Sequence, residues 1–422
     1  MGFLHLGVKT MTNLKTNLSP VKATLAQLGA EFGLDKAPWG ARILHGVKCF
    51  AQLKAHTIQC ETPIQQSYFQ ALINMELGKE VNVPIKLDWG SSCTSLISAI
   101  MRDEIGMVSS GALAEQPMDV YGQIRDALGI NIARKPVKEC TIPYVYGGTS
   151  GVIHYLVPAI RELPGMANLS DKDGLKLYER AYRKPFPGAF EWRKQCLRAW
   201  DCTKCTYAWY LPDGYQAYFN VTENVTSPIE FYNSKGEKIS LGMTMPVPTC
   251  KEQGEGGTFC IGAHLIQAMD GYVLREIVRR GRTSFLRAQA KLLKASEEEL
   301  SKDVSTGIQK AYKGYMETGI VSLHILETLK EETTIPQVWY TDIMSELALL
   351  QGDFEVLPVH DEFGVLPGQV DALRKTANAV YAGIYRGSMG DYLNHKLNLG
   401  IKPRVFDPAI YNRLLSSDYL IN

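Results

Sequence analysis

No apolar run in this 422-residue chain approaches the roughly 20 residues of a membrane-spanning helix, so no membrane partner is expected. An excess of either charge is also missing. Lys and Arg total 45 against 44 Asp and Glu, a net charge of +1. That balance excludes a polybasic or acidic polymer-like chain and argues against phosphate gripping over the whole surface. Paired cysteines are lacking too: the nine present are an odd number at irregular spacing, which excludes a disulfide-stapled scaffold and suits reduced thiols in a cytosol. The one CxxC, Cys202-x2-Cys205, is followed by no second pair or suitably spaced histidine, so it does not read as structural zinc. Gly254-Glu-Gly-Gly257 lacks the Lys-Ser/Thr of a phosphate loop, and the opening Met1-Gly-Phe-Leu-His-Leu-Gly7 lacks the basic flank and cleavage site of a signal peptide. With 45% hydrophobic and 21% charged residues the composition is that of an ordinary globular chain, long enough for two or three subdomains.

What is present is a constellation. Asp88 follows the strand-like Val83-Pro-Ile-Lys-Leu87, and Asp361 falls at a turn between Val356-Leu-Pro-Val-His360 and Phe363-Gly-Val-Leu-Pro367. Two strand-end acids far apart in sequence can converge and hold a pair of divalent cations ~3.5–4 Å apart, suited to in-line displacement at phosphorus. Between them Arg134-x3-Lys138-x7-Tyr146-Gly147 falls on a helical period. A face with a guanidinium, an ammonium and an aromatic hydroxyl fits a nucleoside triphosphate: charge for the phosphates, a ring for sugar and base. The pattern predicts nucleotidyl transfer.

These residues resemble the single-subunit RNA polymerases of phages and mitochondria. The run Asp88-Trp-Gly-Ser-Ser-Cys-Thr-Ser-Leu-Ile-Ser-Ala-Ile-Met-Arg-Asp103 is similar to that family's first motif, D-G-S-C-S-G-I-Q-H-F-S-A-M-L-R-D, without a gap. Arg134, Lys138, Tyr146 and Gly147 match R-x3-K-x7-Y-G, and His360-Asp361-Glu362-Phe363-Gly364 resembles H-D-S-F-G. Smaller echoes keep the family order: Gly33-Leu-Asp-Lys-Ala-Pro38, Asp119-Val-Tyr-Gly122, Pro212-Asp-Gly214, Met269-Asp-Gly271 and Ser417-Asp-Tyr-Leu-Ile-Asn422.

The resemblance implies an α+β right-hand polymerase fold with palm and fingers, the thumb and N-terminal domain being absent from this chain. It places a first part of the palm at 1–115, fingers at 116–263 with a hairpin at 228–248, and a second part of the palm at 264–422 with a helical insertion at about 280–350. It implies a DNA-directed RNA polymerase catalytic subunit in phage transcription, in the cytoplasm of an infected bacterial host. Two Mg²⁺ ions would be held by Asp88 and Asp361 with the backbone carbonyl of Trp89; Mg²⁺ takes few protein carboxylates beside substrate phosphates. Asp88, Lys138 and Asp361 would be catalytic. Arg134, Lys138, Tyr146 and Gln267 would bind the ribonucleoside triphosphate, Gln267 standing where the family has a ribose-sensing histidine, with His264 one turn earlier as a substitute. Gly147, Lys235, Arg275, Arg279 and Arg282 would touch DNA template or RNA product. A second polymerase subunit would supply the N-terminal and thumb region, since no D-x-x-G-R element precedes Asp88, and a single-stranded-DNA-binding protein is a further candidate partner. The rival readings are a family A-like DNA polymerase, whose third motif matches His360-Asp361-Glu362 but whose S-Q-I-E-L-R signature is absent, and a non-catalytic polymerase-fold nucleic-acid-binding subunit.

Periodicity predicts helices over 21–32, 41–55, 64–77, 92–103, 118–128 and 135–146, the last kinked or broken near Thr141 by Pro143, and further helices over 311–329 and 342–350. Strand pairs are expected about Pro212-Asp-Gly214 and about Asn233-Ser-Lys-Gly236. The second hairpin reads either as a structural ribbon or as a DNA reader. Arg275 to Lys294 carries seven basic residues and one acid, Glu276, and reads either as a solvated face or as a phosphate-tracking stripe.

Overall fold

A computed structural model of the chain describes residues 84–116, 118–252, 261–359 and 361–421. The three helices expected within 21–77 lie outside these residues. The fold is mixed α+β.

β1 (Ile85–Asp88) turns its alternate residues in opposite directions: Leu87 and the following Trp89 are buried, Lys86 and Asp88 exposed. α1 (Ser92–Ile100) is buried along its whole length. Its small residues, Ser92, Ser95, Ser98 and Ala99, let neighbouring helices close on every side. α2 (Glu104–Ser109) follows. Between the two, Arg102 and Asp103, at the far end of the run from Asp88, are held by backbone and side-chain partners. Arg102, at φ 52°, donates to the carbonyls of Tyr385, Arg386, Gly387 and Arg404. Asp103 is buried, accepts from the Gly188 N–H at 2.7 Å and pairs with Arg404.

α3 (Val120–Leu128) ends at Gly129, whose φ of 69° is the left-handed stop that glycine takes without strain. α4 (Arg134–Val145) runs unbroken through Pro143, so of the expected kink or break the break does not occur. Proline removes the N–H that would meet the Glu139 carbonyl, and contacts within the helix and from Tyr178 and Tyr182 hold the turn around it. The Thr141 hydroxyl donates to the Val137 carbonyl and accepts from the Tyr178 hydroxyl, and Tyr144 packs edge-on against Tyr178 and Tyr182. A π-helical turn, Val152–Leu156, leads into α5 (Val157–Arg161), α6 (Asp171–Arg183) and α7 (Pro187–Arg198).

β2 (Thr206–Tyr210) and β3 (Gln216–Asn220) form the first expected hairpin. β4 (Thr222–Tyr232) and β5 (Lys238–Pro248) form the second, longer than predicted, in register from Thr222↔Pro248 to Tyr232↔Lys238. The Asn233 side chain accepts from the N–H groups of Lys235 and Glu237 and closes the tip. Nearly every residue of this ribbon is exposed on both faces.

α8 (Gly262–Arg280) re-enters the core and is followed by α9 (Thr283–Ala290), β6 (Leu293–Ser296), α10 (Thr306–Thr318), α11 (His324–Thr328), β7 (Thr333–Pro336) and α12 (Gln337–Ala348). The stretch 280–350, expected as a helical insertion, has its own apolar core, with Leu286, Leu323, Ile325, Trp339 and Ile343 at its centre. It also contains a parallel strand pair, β6 with β7, that periodicity missed. Two glycines seat it on the first hairpin: a Cβ at Gly214 would stand 2.4 Å from the Lys310 carbonyl oxygen, and one at Gly314 2.6 Å from that of Pro212. A buried ion cluster completes the join. Glu276 accepts from Arg279, Arg280, Ser322 and the Leu323 N–H, and Arg280 pairs with Glu346 at 2.8 Å.

β8 (Val356–Val359) and β9 (Glu362–Val365) form a hairpin on which β1 adds, giving the sheet order β1-β9-β8. α13 (Val370–Arg386), α14 (Met389–Leu397) and α15 (Pro408–Leu415) close the main core. Tyr419, Leu420 and Ile421 tuck into it, the Asn378 amide donating to the Ser417 carbonyl. Among the described residues no helix is long and apolar enough to cross a membrane.

Candidate functional site

The sheet brings the two distant acids together. Asp88 ends β1 opposite Glu362 of β9, and Asp361 lies in the turn between β8 and β9, where Val359 pairs with Glu362. The Trp89 N–H donates to the Asp361 carbonyl at 3.0 Å, so the residue after one acid is bonded to the backbone of the other. Lys86 pairs with Glu362 at 2.7 Å on the outward face. Glu362, where the family has serine, therefore adds a third carboxylate already answered by a lysine. His360 lies outside the described residues.

Trp89 stands where the family has glycine. Its ring is buried and packs on Tyr381 at 5.7 Å between centroids. The ring fixes β1 to α13.

α4 presents Arg134 and Lys138 one turn apart on its exposed face, while Val137, Cys140, Thr141 and Tyr144 face inward. The two cations meet over one ring: Arg134 lies 5.0 Å and Lys138 6.0 Å from the centroid of Tyr121 on α3. Burial raises the Tyr121 phenol above its ordinary range; Arg134 opposes this, while Cys93, Asp361 and Asp88 push it further up. Both acids and a site cation are thus felt at one hydroxyl, and that convergence joins the acid pair to the cationic helix. In the sequence Tyr121 is only an aromatic inside the Asp119-Val-Tyr-Gly122 echo, which by itself assigns it no role.

Asp119 takes Arg134 in a two-pronged grip, 2.8 Å from Nη2 to Oδ1 and 2.9 Å from Nε to Oδ2. The hydrogen bond to Arg134 holds the Asp119 carboxyl below the usual range, and the same bond raises Arg134. Both side chains are about half exposed, so the pair is worth at most about 1 kcal/mol and an incoming phosphate can compete for the guanidinium.

Tyr146 caps α4 and is half-buried. Burial raises its hydroxyl well above the usual tyrosine range, and Cys93, Asp270 and Asp361 add to the effect. Its place is fixed from behind: buried Arg193 donates to the Tyr144 carbonyl at 2.7 Å and to the Gly147 carbonyl at 3.1 Å. Gly147 is buried, at φ 100°. Its carbonyl is taken by Arg193, and its left-handed φ turns the chain away from the end of α4.

Asp270 on α8, inside the Met269-Asp-Gly271 echo, also gains its place only from the packing. The Ser92 hydroxyl donates to it at 3.4 Å, linking α8 to the start of α1. Gln267 lies one turn earlier and exposed, so the two share a helix face. His264 instead stacks on Phe219 with centroids 3.8 Å apart, and burial lowers its pKa. That stack ties α8 to β3.

The expected arginine stripe is answered from within the chain. Arg275 pairs with Asp213 at 2.7 Å and lies over Tyr215. Arg279 is 7% exposed and pairs with Glu276 and Glu327. Arg282 pairs with Glu327 at 3.3 Å and lies over Phe285. Burial alone removes Arg279 from any phosphate-tracking face. Lys235 is exposed at the ribbon tip.

The donors at the acid pair are hard carboxylate oxygens, the kind Mg²⁺ selects. Among the described residues no group of three or more His, Cys, Asp or Glu could hold a metal ion; Asp88 and Asp361 form a pair of acids that would lean on substrate oxygens. Comparison with protein-family models and with curated proteins gives no match.

Proposed function

We propose that the chain is the catalytic subunit of a DNA-directed RNA polymerase with a right-hand fold, joining ribonucleoside triphosphates to an RNA 3′ end on a DNA template. The observation that carries this reading is the bond from the Trp89 N–H to the Asp361 carbonyl, which sets two sequence-distant acids side by side within the electrostatic reach of a phenol that also meets Arg134 and Lys138. The motif resemblance supports it independently. The palm comprises β1, β8, β9, α1 and α13, and the fingers carry α4.

Asp88 and Asp361 would hold the divalent ions through their carboxylates. When bound, such a pair makes the 3′-hydroxyl more acidic and offsets charge on the leaving pyrophosphate. Arg134 exchanges Asp119 for a phosphate, a like-for-like swap of one oxyanion for another. Lys138 supplies a point charge to the triphosphate and a proton to the departing pyrophosphate. Tyr146, held by Arg193 behind it, offers its ring and hydroxyl to the ribose, with Gln267 and Asp270 on the facing helix.

The test is extension of an RNA primer on a DNA template with Mg²⁺, using the chain alone and the complex it co-purifies with, since the resemblance implies a second subunit. Ribonucleotides are expected to be incorporated. Asp361→Asn is expected to cut the rate at least about 100-fold, more than the 10- to 100-fold typical of losing a group that merely orients a metal ligand, with unchanged circular dichroism. Equal synthesis by the variant would favour the non-catalytic reading. A preference for deoxyribonucleotides would favour the DNA polymerase.

A further inference from the structure

Apart from the acid pair, the ribbon formed by β4 and β5 has a second chemical centre at its root. Cys205 immediately precedes β2, and Cys250 lies two residues past the end of β5. Their sulfurs are 2.7 Å apart. The backbone sets this approach rather than the thiols themselves. The Val221 N–H donates to the Cys205 carbonyl at 2.8 Å, and the Thr249 N–H donates to the Val221 carbonyl at 2.9 Å. Three strand ends are thus laced side by side, and the two cysteines are delivered to one point. Cys250 is exposed and Cys205 half-buried, so small reagents can reach both. Cys202, also exposed, is near enough for its charge to act on Cys250.

Two chemistries bring sulfurs this close. Thiolates sharing a tetrahedral zinc at Zn–S distances of about 2.3 Å stand roughly 3.8 Å apart, whereas a cystine has them at about 2.05 Å. The observed spacing lies nearer the cystine, and among the described residues no trio of metal-binding side chains is present.

We propose that Cys205 and Cys250 are an oxidisable dithiol whose cystine staples the root of the ribbon. The oxidant is a small disulfide. One protein thiolate attacks it, forming a mixed disulfide and expelling one small thiolate. The second protein thiolate then attacks the protein sulfur of that mixed disulfide and expels the other small thiolate. Two protein thiols lose two protons and two electrons, and one small disulfide becomes two small thiols. The closed loop spans both hairpins, so the bond holds the ribbon to the body across any break within it. The inference does not depend on the proposed polymerase activity.

The experiment treats the purified full chain with glutathione disulfide, alkylates the remaining thiols and maps the peptides. The expected result is one linked pair, Cys205 with Cys250, reversed by dithiothreitol, absent in Cys250→Ser and retained in Cys202→Ser. Trypsin then adds an independent readout: cutting at the exposed Lys235 should leave fragments that stay together on a non-reducing denaturing gel after oxidation and separate without it. Both cysteines alkylated after oxidation would overturn the proposal, as would a Cys202–Cys205 link. Tightly held zinc at one equivalent that shields the thiols until chelated would also overturn it. Circular dichroism of Cys250→Ser, an exposed position, distinguishes a lost bond from a lost fold.

Discussion

At the scale of single residues, Tyr121 is the hinge between the acids and the cations. Its ring lies under Arg134 and Lys138, and its hydroxyl feels Asp88 and Asp361. Replacing it with leucine keeps the bulk and removes the π-face. At an exposed site such a contact is worth about 0.5–1 kcal/mol, so Tyr121→Leu should raise the KM for nucleotide about 2- to 5-fold with little change in kcat. Steady-state kinetics on a primed template measures this, and an unchanged KM would remove Tyr121 from the site. Asp88, Asp361, Arg134, Lys138 and Tyr146 were legible in the sequence because each stands at a fixed offset within a dense motif. Tyr121, Cys93 and Asp270 were not, because their roles arise from which helices pack together. The fate of Arg279 was equally hidden. Its helical spacing suits a basic stripe, but Glu327, forty-eight positions later, decides that it faces inward.

At the scale of elements, α8 is bound to the insertion by a buried acid. Burial pushes the Glu276 carboxyl upward, but the guanidiniums of Arg279 and Arg280 prevail and hold it at about 2, below its ordinary 4.5. A carboxyl depressed by folding contributes stability above its unfolded value and loses that contribution as pH falls through its folded one. The stability gap between the wild type and Glu276→Gln should therefore be flat above about pH 4.5 and close as pH falls toward 2, as followed by urea unfolding at each pH. A gap that persists at pH 2 would mean that the ion cluster is not its source. The exposed ribbon predicts the opposite sensitivity. Since neither face of β4 and β5 enters the core along most of its length, replacing residues 228–242 with a short Gly-Ser turn should move the thermal midpoint by no more than about 2 °C. A larger fall would show that the ribbon supports the body. Both hairpins were legible from turn chemistry at Pro212-Asp-Gly214 and Asn233-Ser-Lys-Gly236. The pairing of β6 with β7 was not, because parallel partners so far apart leave no local turn signal. α4 persists through Pro143 for a similar reason: the Tyr178 and Arg193 bonds that stabilise it come from other helices.

At the scale of the whole molecule, the main core is closed by residues distant in sequence from the helices they cover. Leu420 and Ile421 are each 1% exposed. A Cβ at Gly111 would lie 2.6 Å from the Tyr419 carbonyl oxygen, so this stretch is fitted against the α2 region backbone to backbone. Each large-to-alanine change in such packing costs about 2–5 kcal/mol. The Leu420→Ala/Ile421→Ala double variant should lower the urea midpoint strongly without altering the sulfur chemistry at the ribbon root; a change below about 1 kcal/mol would show that the segment only decorates the surface. The α+β class and the two antiparallel hairpins were readable in advance, whereas the second apolar core was not, since its residues become a cluster only when α9 to α12 meet. The ribbon carries one more consequence. Val225, Ile229, Phe231, Leu241, Met243, Met245 and Val247 all lie on one side of it, exposed, and both strands have an open flank. Concentrated samples for crystals or grids should therefore associate through this oily strip, and a lysine at Leu241 is the simplest remedy for keeping the preparation monodisperse.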